Sequence, residues 1–495
     1  MKTGMRSVIK ITAFICILAA ILLSINEVLI PKYYIANTAW PMTSTYNSFY
    51  ALKNNTIDVL FIGSSYCVNG LSPQEIYNQY GIRSFNLGSQ EQSLFLSYYW
   101  LKEALNYQSP SVVVLEGRFF RPFHPKNPIK TPEGLTRKCL DPMRLSSVKI
   151  EAVNDLCSRD PSQIKSSWYL TNIRFHDRWK SLGEIDFDNS EIYYSHLMGW
   201  APGNAELLDE FNPLVVSDEE KLYQFDDVTV EYFQKMADLC QQKGITFVVI
   251  NVPAQGMNSS VYLAYKKICE ENGVDYIDLS KKEEWDKLGI ELSRDNPVGH
   301  GNIWGNIKTS GYVGKILREK YNVPQISDSQ FEENKGFYEH IKSSFHLSEV
   351  TDVDEYLSLL NDDRYCVFIS VKGDAAKALK ETTKTRLRDL GLDKEWDAET
   401  DYRKSYIGII TDEGVAEQAE GVIKISGRFR DRNNSYSVVS RGDKDKGGSY
   451  SSIVIDGEEK AVNERGLNIV VYDTVRRIVV DSVSFDTNAD SSARR

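Results

Sequence analysis

Two distant segments of the chain carry the residue types that acyl transfer through a serine requires. The first, residues 58–66 (DVLFIGSSY), is an apolar strand pattern that ends in a glycine and two serines. The second, residues 300–305 (HGNIWG), places a histidine just ahead of a predicted helix. A serine hydroxyl becomes an effective nucleophile when a histidine accepts its proton, and preorganised N–H groups stabilise the oxyanion that forms. A serine at the end of a strand and a histidine on a distant loop are the two parts of that chemistry.

Backbone N–H groups near the serines are candidate oxyanion donors. At the end of a parallel strand the loop amides point into the crevice, so Gly63 and Ser65 can donate there. A second segment, residues 85–90 (FNLGSQ), reads as a loop. Its Gly88 lacks a side chain, which lets a backbone N–H approach a ligand closely.

The elements around these segments predict a parallel sheet covered by helices. Continuous apolar runs predict strands, and runs with apolar residues at helical spacing predict the helices between them. Continuous apolar strands separated by helices are typical of a parallel sheet that is buried on both faces, a three-layer α/β/α sandwich. The predicted strands are 59–62, 111–115, 246–250 and 275–279, and the predicted helices are 73–80, 92–106, 228–243, 261–271 and 304–321.

An insertion, residues 119–224, interrupts this alternation. It is rich in aromatic residues, charges and proline, and includes the stretches 174–179 (RFHDRW) and 193–200 (YYSHLMGW). Long insertions after the carboxyl ends of parallel strands usually lie over the ligand crevice, so we predict a cap. An insertion whose aromatic residues serve only packing is the alternative.

The N-terminus predicts a membrane anchor. Lys2, Arg6 and Lys10 precede residues 11–25, which carry no charge, and this order places the N-terminus in the cytoplasm and the remainder outside. With flanking apolar residues the run reaches the roughly 20 residues that a bilayer needs. We predict a single-pass signal anchor over residues 1–31, followed by a stalk over 32–55. A cleaved signal peptide and a buried core helix are the alternatives.

Composition excludes several other classes of function. A formal charge of −11 argues against a nucleic-acid partner. The seven cysteines show neither CxxC pairs nor metal-ligand spacing, so the chain predicts no disulfide-rich scaffold, no metal site and no cofactor. The length outside the anchor is enough for two or three domains.

The C-terminal part changes character. Residues 327–363 are polar and helical and predict a connector. A separate α+β or mostly β domain is expected over residues 364–487, with one helix at 375–390, and residues 488–495 read as a frayed tail. The predicted strands of this domain are 366–371, 406–410, 421–425, 452–455, 467–472 and 478–483.

Residues 58–70, 86–88 and 300–305 resemble the sequence blocks of the SGNH (GDSL-like) hydrolase superfamily. The resemblance covers roughly residues 56–322, within an expected domain of 56–326. It is strongest to the membrane-anchored branch that acts on bacterial cell-envelope polymers, which includes proteins similar to the teichoic acid D-alanyl transfer protein. The resemblance implies a serine nucleophile, a histidine base and an oxyanion glycine at Ser65, His300 and Gly88. Further candidates for oxyanion or substrate contacts lie in these blocks, namely Gly63, Asn86 and Asn302.

The chain departs from the family pattern at three places. Ser64 replaces the usual aspartate before the nucleophile. The third block, normally Gly-x-Asn-Asp, is absent, and residues 115–118 (LEGR) stand in its place, so Glu116 and Arg118 become the candidates there. The family aspartate, normally three residues before the histidine, is absent. Asp295, five residues before, is the candidate for orienting His300, and a serine–histidine dyad is the alternative.

Residues 447–453, 465–473 and 480–487 resemble the interleukin-like EMT inducer domain. That domain also occurs in the stem of a protein O-mannose N-acetylglucosaminyltransferase, where it binds sugar. The resemblance implies a non-catalytic glycan-binding module. The alternative is that these residues only form the fold.

Together these features predict a bacterial, membrane-tethered, extracytoplasmic serine esterase or acyltransferase. Its expected substrate is an acyl group, such as acetyl, on a cell-surface or exported polysaccharide, and a membrane-bound O-acyltransferase is a candidate partner. Two alternatives stay open. One is a non-enzymatic glycan-binding or assembly protein of an export complex, and the other is an adhesin-like protein dominated by its C-terminal domain.

Overall fold

The computed structural model divides the chain into two compact units, Met1–Lys335 and Gly336–Arg495. It describes residues 2–31, 42–120, 133–183, 186–187, 196–218, 221–421, 423–429 and 435–495. Parts of the expected stalk and of the expected cap therefore lie outside the described residues.

The first unit begins with a long apolar helix, α1 (Lys2–Leu29). Its segment Val8–Leu29 has 22 residues and a mean hydropathy of 2.7, and is long and apolar enough to cross a membrane or to act as a signal sequence. Most of its side chains are exposed, but Asn26 and Leu29 near its end are buried. The end of this helix therefore packs against the rest of its unit.

The first unit contains a five-stranded parallel sheet with the order β2-β1-β3-β4-β5. The predicted parallel α/β arrangement is confirmed at this level. The polar residues Ser84 and Asn86 made the second strand read as a loop. The strands are β1 (Val59–Gly63), β2 (Ser84–Gly88), β3 (Val112–Leu115), β4 (Thr246–Asn251) and β5 (Asp275–Asp278).

Both faces of this sheet are buried. Leu60 and Ile62 of β1 pack into one apolar cluster, whereas Val59 and Phe61 pack into another. This follows from the alternation of side chains along a strand.

The helices after α1 are α2 (Met42–Ala51), α3 (Ser65–Gly70), α4 (Pro73–Tyr80), α5 (Leu94–Ala104), α6 (Glu133–Leu140), α7 (Ser147–Arg159), α8 (Asn172–Phe175), α9 (Asp227–Lys243), α10 (Ser259–Glu271), α11 (Lys282–Leu288) and α12 (Ile303–Glu319).

The strand order predicts where a ligand crevice lies. In an open sheet of order 2-1-3-4-5 the direction of winding reverses between the first and third strands, and ligands bind beyond the carboxyl ends of the strands at that point. Here β1 ends at Gly63 and β3 ends at Leu115. The two serines and Glu116 follow directly.

The second unit contains a ten-stranded mixed sheet. Its central strand β6 (Tyr365–Gly373) is antiparallel to two neighbours and parallel to a third. The other strands are β7 (Tyr406–Thr411), β8 (Gly414–Ala419), β9 (Ile423–Arg428), β10 (Ser435–Gly442), β11 (Tyr450–Ile455), β12 (Glu458–Glu459), β13 (Gly466–Asp473), β14 (Ile478–Phe485) and β15 (Ala493–Arg494). Its helices are α14 (Val353–Leu359) and α15 (Glu381–Asp389), and the helix α13 (Ser329–His346) contains residues of both units.

The expected connector and tail have structural roles in the second unit. Val353 and Tyr356 of α14 belong to the same apolar cluster as Ile369 and Phe485 of the sheet. The region was predicted to be polar and helical, and α14 lies within it with Val353, Tyr356 and Leu357 buried. At the C-terminus, β15 pairs with β14, and Arg495 donates to the Asp481 carboxylate at 3.0 Å.

Candidate active site

Ser65 and His300 meet at the carboxyl end of β1. Ser64 is the N-cap of α3 and Ser65 is its first residue, while His300 lies in the loop before α12. The Ser65 Oγ and the His300 Nε2 are 2.8 Å apart. This distance lies within the range that proton transfer from a nucleophile to a base requires.

Close packing of strand ends positions the serine turn. A side chain at Gly63 would place its Cβ 2.8 Å from the Glu116 Cβ, and one at Gly88 would lie 2.8 Å from the Gly63 carbonyl oxygen. Both separations are shorter than the closest approach of a Cβ to another atom that is not bonded to it. Gly63 and Gly88 therefore allow three neighbouring strands to end side by side, directly below Ser65.

The His300 ring is partly buried, and burial lowers its pKa below the ordinary value of 6.5. The ring is therefore neutral at pH 7 and able to accept a proton from Ser65. The ring centroids of His300 and Tyr66 are 5.0 Å apart. Tyr66 was not among the predicted site residues, although its place directly after Ser65 could have indicated it.

Asp295 does not make the contact that was expected of it. The side chain is buried, but one carboxylate oxygen accepts from the Glu291 N–H at 2.8 Å and lies 2.6 Å from Lys308 Nζ. Its hydrogen bonds to described residues do not include one to His300. Asp295 lies two residues further from His300 in sequence than the family aspartate does. It therefore lies in the turn before the histidine loop rather than behind the ring.

Glu116 lies beside the serine turn as an unusual buried carboxyl group. Burial raises its pKa to about 8, although the nearby Arg118 guanidinium opposes the shift. The Arg118 Nε lies 4.0 Å from Glu116 Oε1, and the Arg118 backbone N–H donates to Glu116 Oε2 at 3.4 Å. At neutral pH this carboxyl is therefore mostly protonated. Arg118 itself donates to the Val252 carbonyl at 2.8 Å and contacts Ser280.

The two predicted asparagines have structural roles in their described contacts. The Asn86 amide donates to the Leu71 carbonyl at 2.6 Å and fixes the end of α3. Asn302 is the N-cap of α12, accepts from Gly305 N–H at 2.9 Å, and donates to the Arg294 carbonyl. The Asn86 amide also donates to the Cys67 carbonyl at 3.3 Å, so both of its N–H donors are directed at the α3 turn.

Part of the insertion borders the site. The Trp200 indole donates to the Asn69 carbonyl at 2.7 Å, and Ala201 N–H donates to the Val68 carbonyl at 2.9 Å. A Cβ at Gly203 would lie 3.2 Å from the His300 carbonyl oxygen. Residues 200–203 therefore pack between α3 and the histidine loop. The stretch 193–200 was singled out in the sequence, but its residues 193–195 lie outside the described part of the chain.

No cluster of three or more histidine, cysteine, aspartate or glutamate side chains suited to a metal ion occurs among the described residues. The arrangement at β1 instead offers a hydroxyl, a neutral imidazole and backbone N–H groups. These are the components of serine-dependent acyl transfer.

Comparison of the chain with known protein families, with curated proteins and with solved structures gave no match.

Proposed function

We propose that this protein is a membrane-tethered, extracytoplasmic serine esterase or acyltransferase of SGNH-like architecture. Its substrate would be an O-acyl group, such as acetyl, on a cell-surface or exported polysaccharide of a bacterium. The observation that carries the proposal is the 2.8 Å approach of Ser65 Oγ to His300 Nε2 across 235 residues of sequence. The sheet order supports it, because Ser65 directly follows β1 at the crevice that this order predicts.

The proposed reaction proceeds through an acyl-enzyme. Ser65 Oγ attacks the ester carbonyl as its proton passes to His300 Nε2, and a tetrahedral oxyanion forms. His300 then returns the proton to the leaving sugar oxygen, and the carbon–oxygen bond of the ester breaks. Water or a second hydroxyl attacks the acyl-serine in the same way, which gives hydrolysis or transfer. The backbone N–H groups of Ser65 and Gly88 are the proposed oxyanion donors.

The neutral state of Glu116 suits this chemistry. An ionised carboxylate beside the serine turn would repel a developing oxyanion, whereas a protonated one does not. Since burial raises the pKa of Glu116 to about 8, the unfavourable charge is mostly absent at pH 7. We therefore assign Glu116 the role of a buried acid that stays neutral during the reaction.

The contacts at the end of α1 support an anchor rather than a cleaved signal peptide. Asn26 Oδ1 accepts from Thr171 Oγ1 at 2.6 Å and from the Asn172 N–H at 3.0 Å. Arg178 donates to the Leu29 carbonyl at 3.0 Å. Removal of the helix would leave Thr171, which is buried, without this partner. In this interpretation the remainder of the chain lies outside the membrane.

The second unit is proposed to bind glycan without catalysis. Tyr450 is exposed, and the Arg441 guanidinium lies 5.8 Å from its ring centroid, which provides a ring face and a donor for a sugar. Binding there would raise the local concentration of polymer near Ser65. A chain ending at Lys335 should therefore lose action on acetylated polysaccharide more than on a small acetyl ester.

A non-enzymatic glycan-binding protein of an export complex is the second candidate function. It is favoured by the pairing of Asp295 with Lys308 and by the absence of the third-block asparagine from residues 115–118. Acetate release from acetylated polysaccharide and from p-nitrophenyl acetate separates the two functions. The enzyme interpretation predicts release by the wild type and by Ser64→Ala but not by Ser65→Ala. Polysaccharide binding without acetate release by any of the three would favour the second function.

A further inference from the structure

The insertion of the first unit exposes a group of large apolar side chains near the end of α1. These residues are 40–66 % exposed, far above the level of a core residue. Single exposed apolar residues are normal, but a group within one short segment marks an interaction surface. We call this group the apolar rim, and it consists of Ile164, Leu170, Ile173, Trp179 and Phe187.

The hydrogen bonds of Asn26 fix the rim close to the membrane boundary. The segment from Val8 to Ile25 would span about 27 Å at 1.5 Å per residue, close to the roughly 30 Å of a bilayer core. Ser24 within it donates back to the Ala20 carbonyl and needs no outside partner. Asn26 is thus the first polar residue at the outer boundary, and residues that bond to it lie at headgroup depth.

The rim residues are sequence neighbours of those contacts. Leu170 directly precedes Thr171, which bonds to Asn26, and Ile173 follows Asn172, which does the same. Trp179 follows Arg178, whose guanidinium donates to the Leu29 carbonyl. Since neighbouring residues are 3.8 Å apart along the chain, these side chains lie within a few ångströms of the boundary.

The composition of this segment also suits a lipid surface. Tryptophan prefers the interface between headgroups and acyl chains, and Trp179 is the most exposed residue of the rim. Residues 164–187, the span of the rim, contain four basic and three acidic residues, a formal charge of only +1. Three of these basic residues pair with carboxylates, Arg174 with Glu133, Arg178 with Asp186 and Lys180 with Asp177, so the charges of the segment are largely compensated.

We propose that the apolar rim inserts into the outer leaflet of the membrane that α1 crosses. The occupant is lipid rather than a second copy of the chain, because the rim is continuous with the exposed apolar surface of α1, which itself requires acyl chains. The first unit would then sit on the bilayer at two places, the helix and the rim, and could not rotate freely about a flexible tether. The proposal rests on retention of the anchor but not on the chemistry of Ser65.

Quenching of tryptophan fluorescence by brominated lipid tests this directly. The full-length chain, with Trp40 replaced by phenylalanine because it follows the helix in sequence, is reconstituted into phosphatidylcholine vesicles. The lipids carry bromine in the upper part of the acyl chain. We expect strong quenching that is largely lost in Trp179→Phe and retained in Trp285→Phe, a matched variant at a tryptophan stacked on Phe211.

The outcomes separate this proposal from the proposed function. Ser65→Ala should be quenched like the parent chain, since insertion does not depend on turnover. Equal quenching in the parent and in Trp179→Phe would overturn the insertion proposal even if esterase activity is present. Unquenched Trp179 emission, combined with cross-linking of two chains through this segment, would overturn it in favour of a second copy.

Discussion

Lys308 Nζ lies 2.6 Å from a carboxylate oxygen of Asp295 in the loop that leads to His300. Asp295 is 1 % exposed, so its charge is compensated by the lysine and by the Glu291 N–H. The acidic residue nearest to His300 in the preceding sequence therefore stabilises the turn through α12.

Replacement of Asp295 by asparagine should affect stability more than reactivity. Loss of a charge-assisted hydrogen bond to a partly exposed lysine should lower the free energy of unfolding by about 1–3 kcal/mol. Reaction of Ser65 should change only several-fold, whereas loss of a true triad aspartate costs about 10⁴-fold. Urea unfolding and the rate of fluorophosphonate labelling measure the two effects. Lys308→Met is the matched control. A loss of labelling rate of 10³-fold or more in Asp295→Asn, but not in Lys308→Met, would show that Asp295 acts as a triad residue.

Replacement of Gly63 by alanine should disturb the ends of β1 and β3. The added Cβ would lie 2.8 Å from the Glu116 Cβ and 3.0 Å from its carbonyl oxygen, so the strands must separate. Overpacking of this kind costs about 1–3 kcal/mol, and the serine turn should move with it. The thermal unfolding temperature and the rate of fluorophosphonate labelling should both fall. Gly134→Ala, in the helix α6 where a Cβ has no neighbour within 4 Å, should leave the labelling rate unchanged and should not lower the unfolding temperature. Normal labelling of Gly63→Ala would contradict the packing argument.

The labelling rate should depend on pH through two groups. Burial lowers the pKa of His300, so the rate should fall when the pH drops below a value under 6.5, where the imidazole becomes protonated. Burial also raises the pKa of Glu116 to about 8, so ionisation above that pH should slow the reaction by charge repulsion. The wild type should show a bell-shaped profile, and Glu116→Gln should lose only the alkaline limb. An unchanged alkaline limb in that variant would exclude Glu116 as its source.

The second unit should become less stable as the pH rises. Burial alone would lower the pKa of His340, but its hydrogen bonds to Asp362 at 2.8 Å and Asp473 at 3.0 Å outweigh burial and raise it. A raised folded-state value means that the stabilisation is complete below about pH 6.5, the unfolded value. It is lost as the pH passes through the folded value.

Hydrogen exchange in β6 and β13 at pH 6 and pH 9 checks this, after correction for the intrinsic dependence of exchange on pH. The wild type should lose protection at pH 9, while His340→Gln should be less protected at pH 6 and change little between the two. His346→Gln is the control, because His346 is only partly buried near Glu349. Equal pH dependence in the wild type and in His340→Gln would rule out the buried network as its cause.

The sequence predicted the parts of the fold in which local patterns and burial agree. β1, β3 and β4 are continuous apolar runs, and α9 ends at Gly244 with a left-handed φ of 67°, so their positions were predictable. β2 was missed because the buried polar residues Ser84 and Asn86 interrupt its apolar pattern. β8 and β10 of the second unit were also missed.

The site was only partly predictable. Strand ends and block order indicated Ser65 and His300, since the topology of a parallel sheet brings such positions together. The contacts of Asp295, Asn86 and Asn302 depend on the path of loops, which sequence spacing alone does not determine. The buried state of Glu116 depends on its neighbours in space and was therefore not evident from its sequence position.

Mapping of the fluorophosphonate adduct by mass spectrometry tests the central claim most directly. The full-length wild type in detergent and the Ser64→Ala variant should carry one phosphonate adduct, on Ser65. Labelling should be absent in Ser65→Ala and reduced by up to about 10⁶-fold in His300→Ala, the loss seen when the histidine of a serine–histidine pair is removed. An adduct on another residue, or equal labelling of folded wild type and Ser65→Ala, would contradict the assignment of Ser65 as the nucleophile.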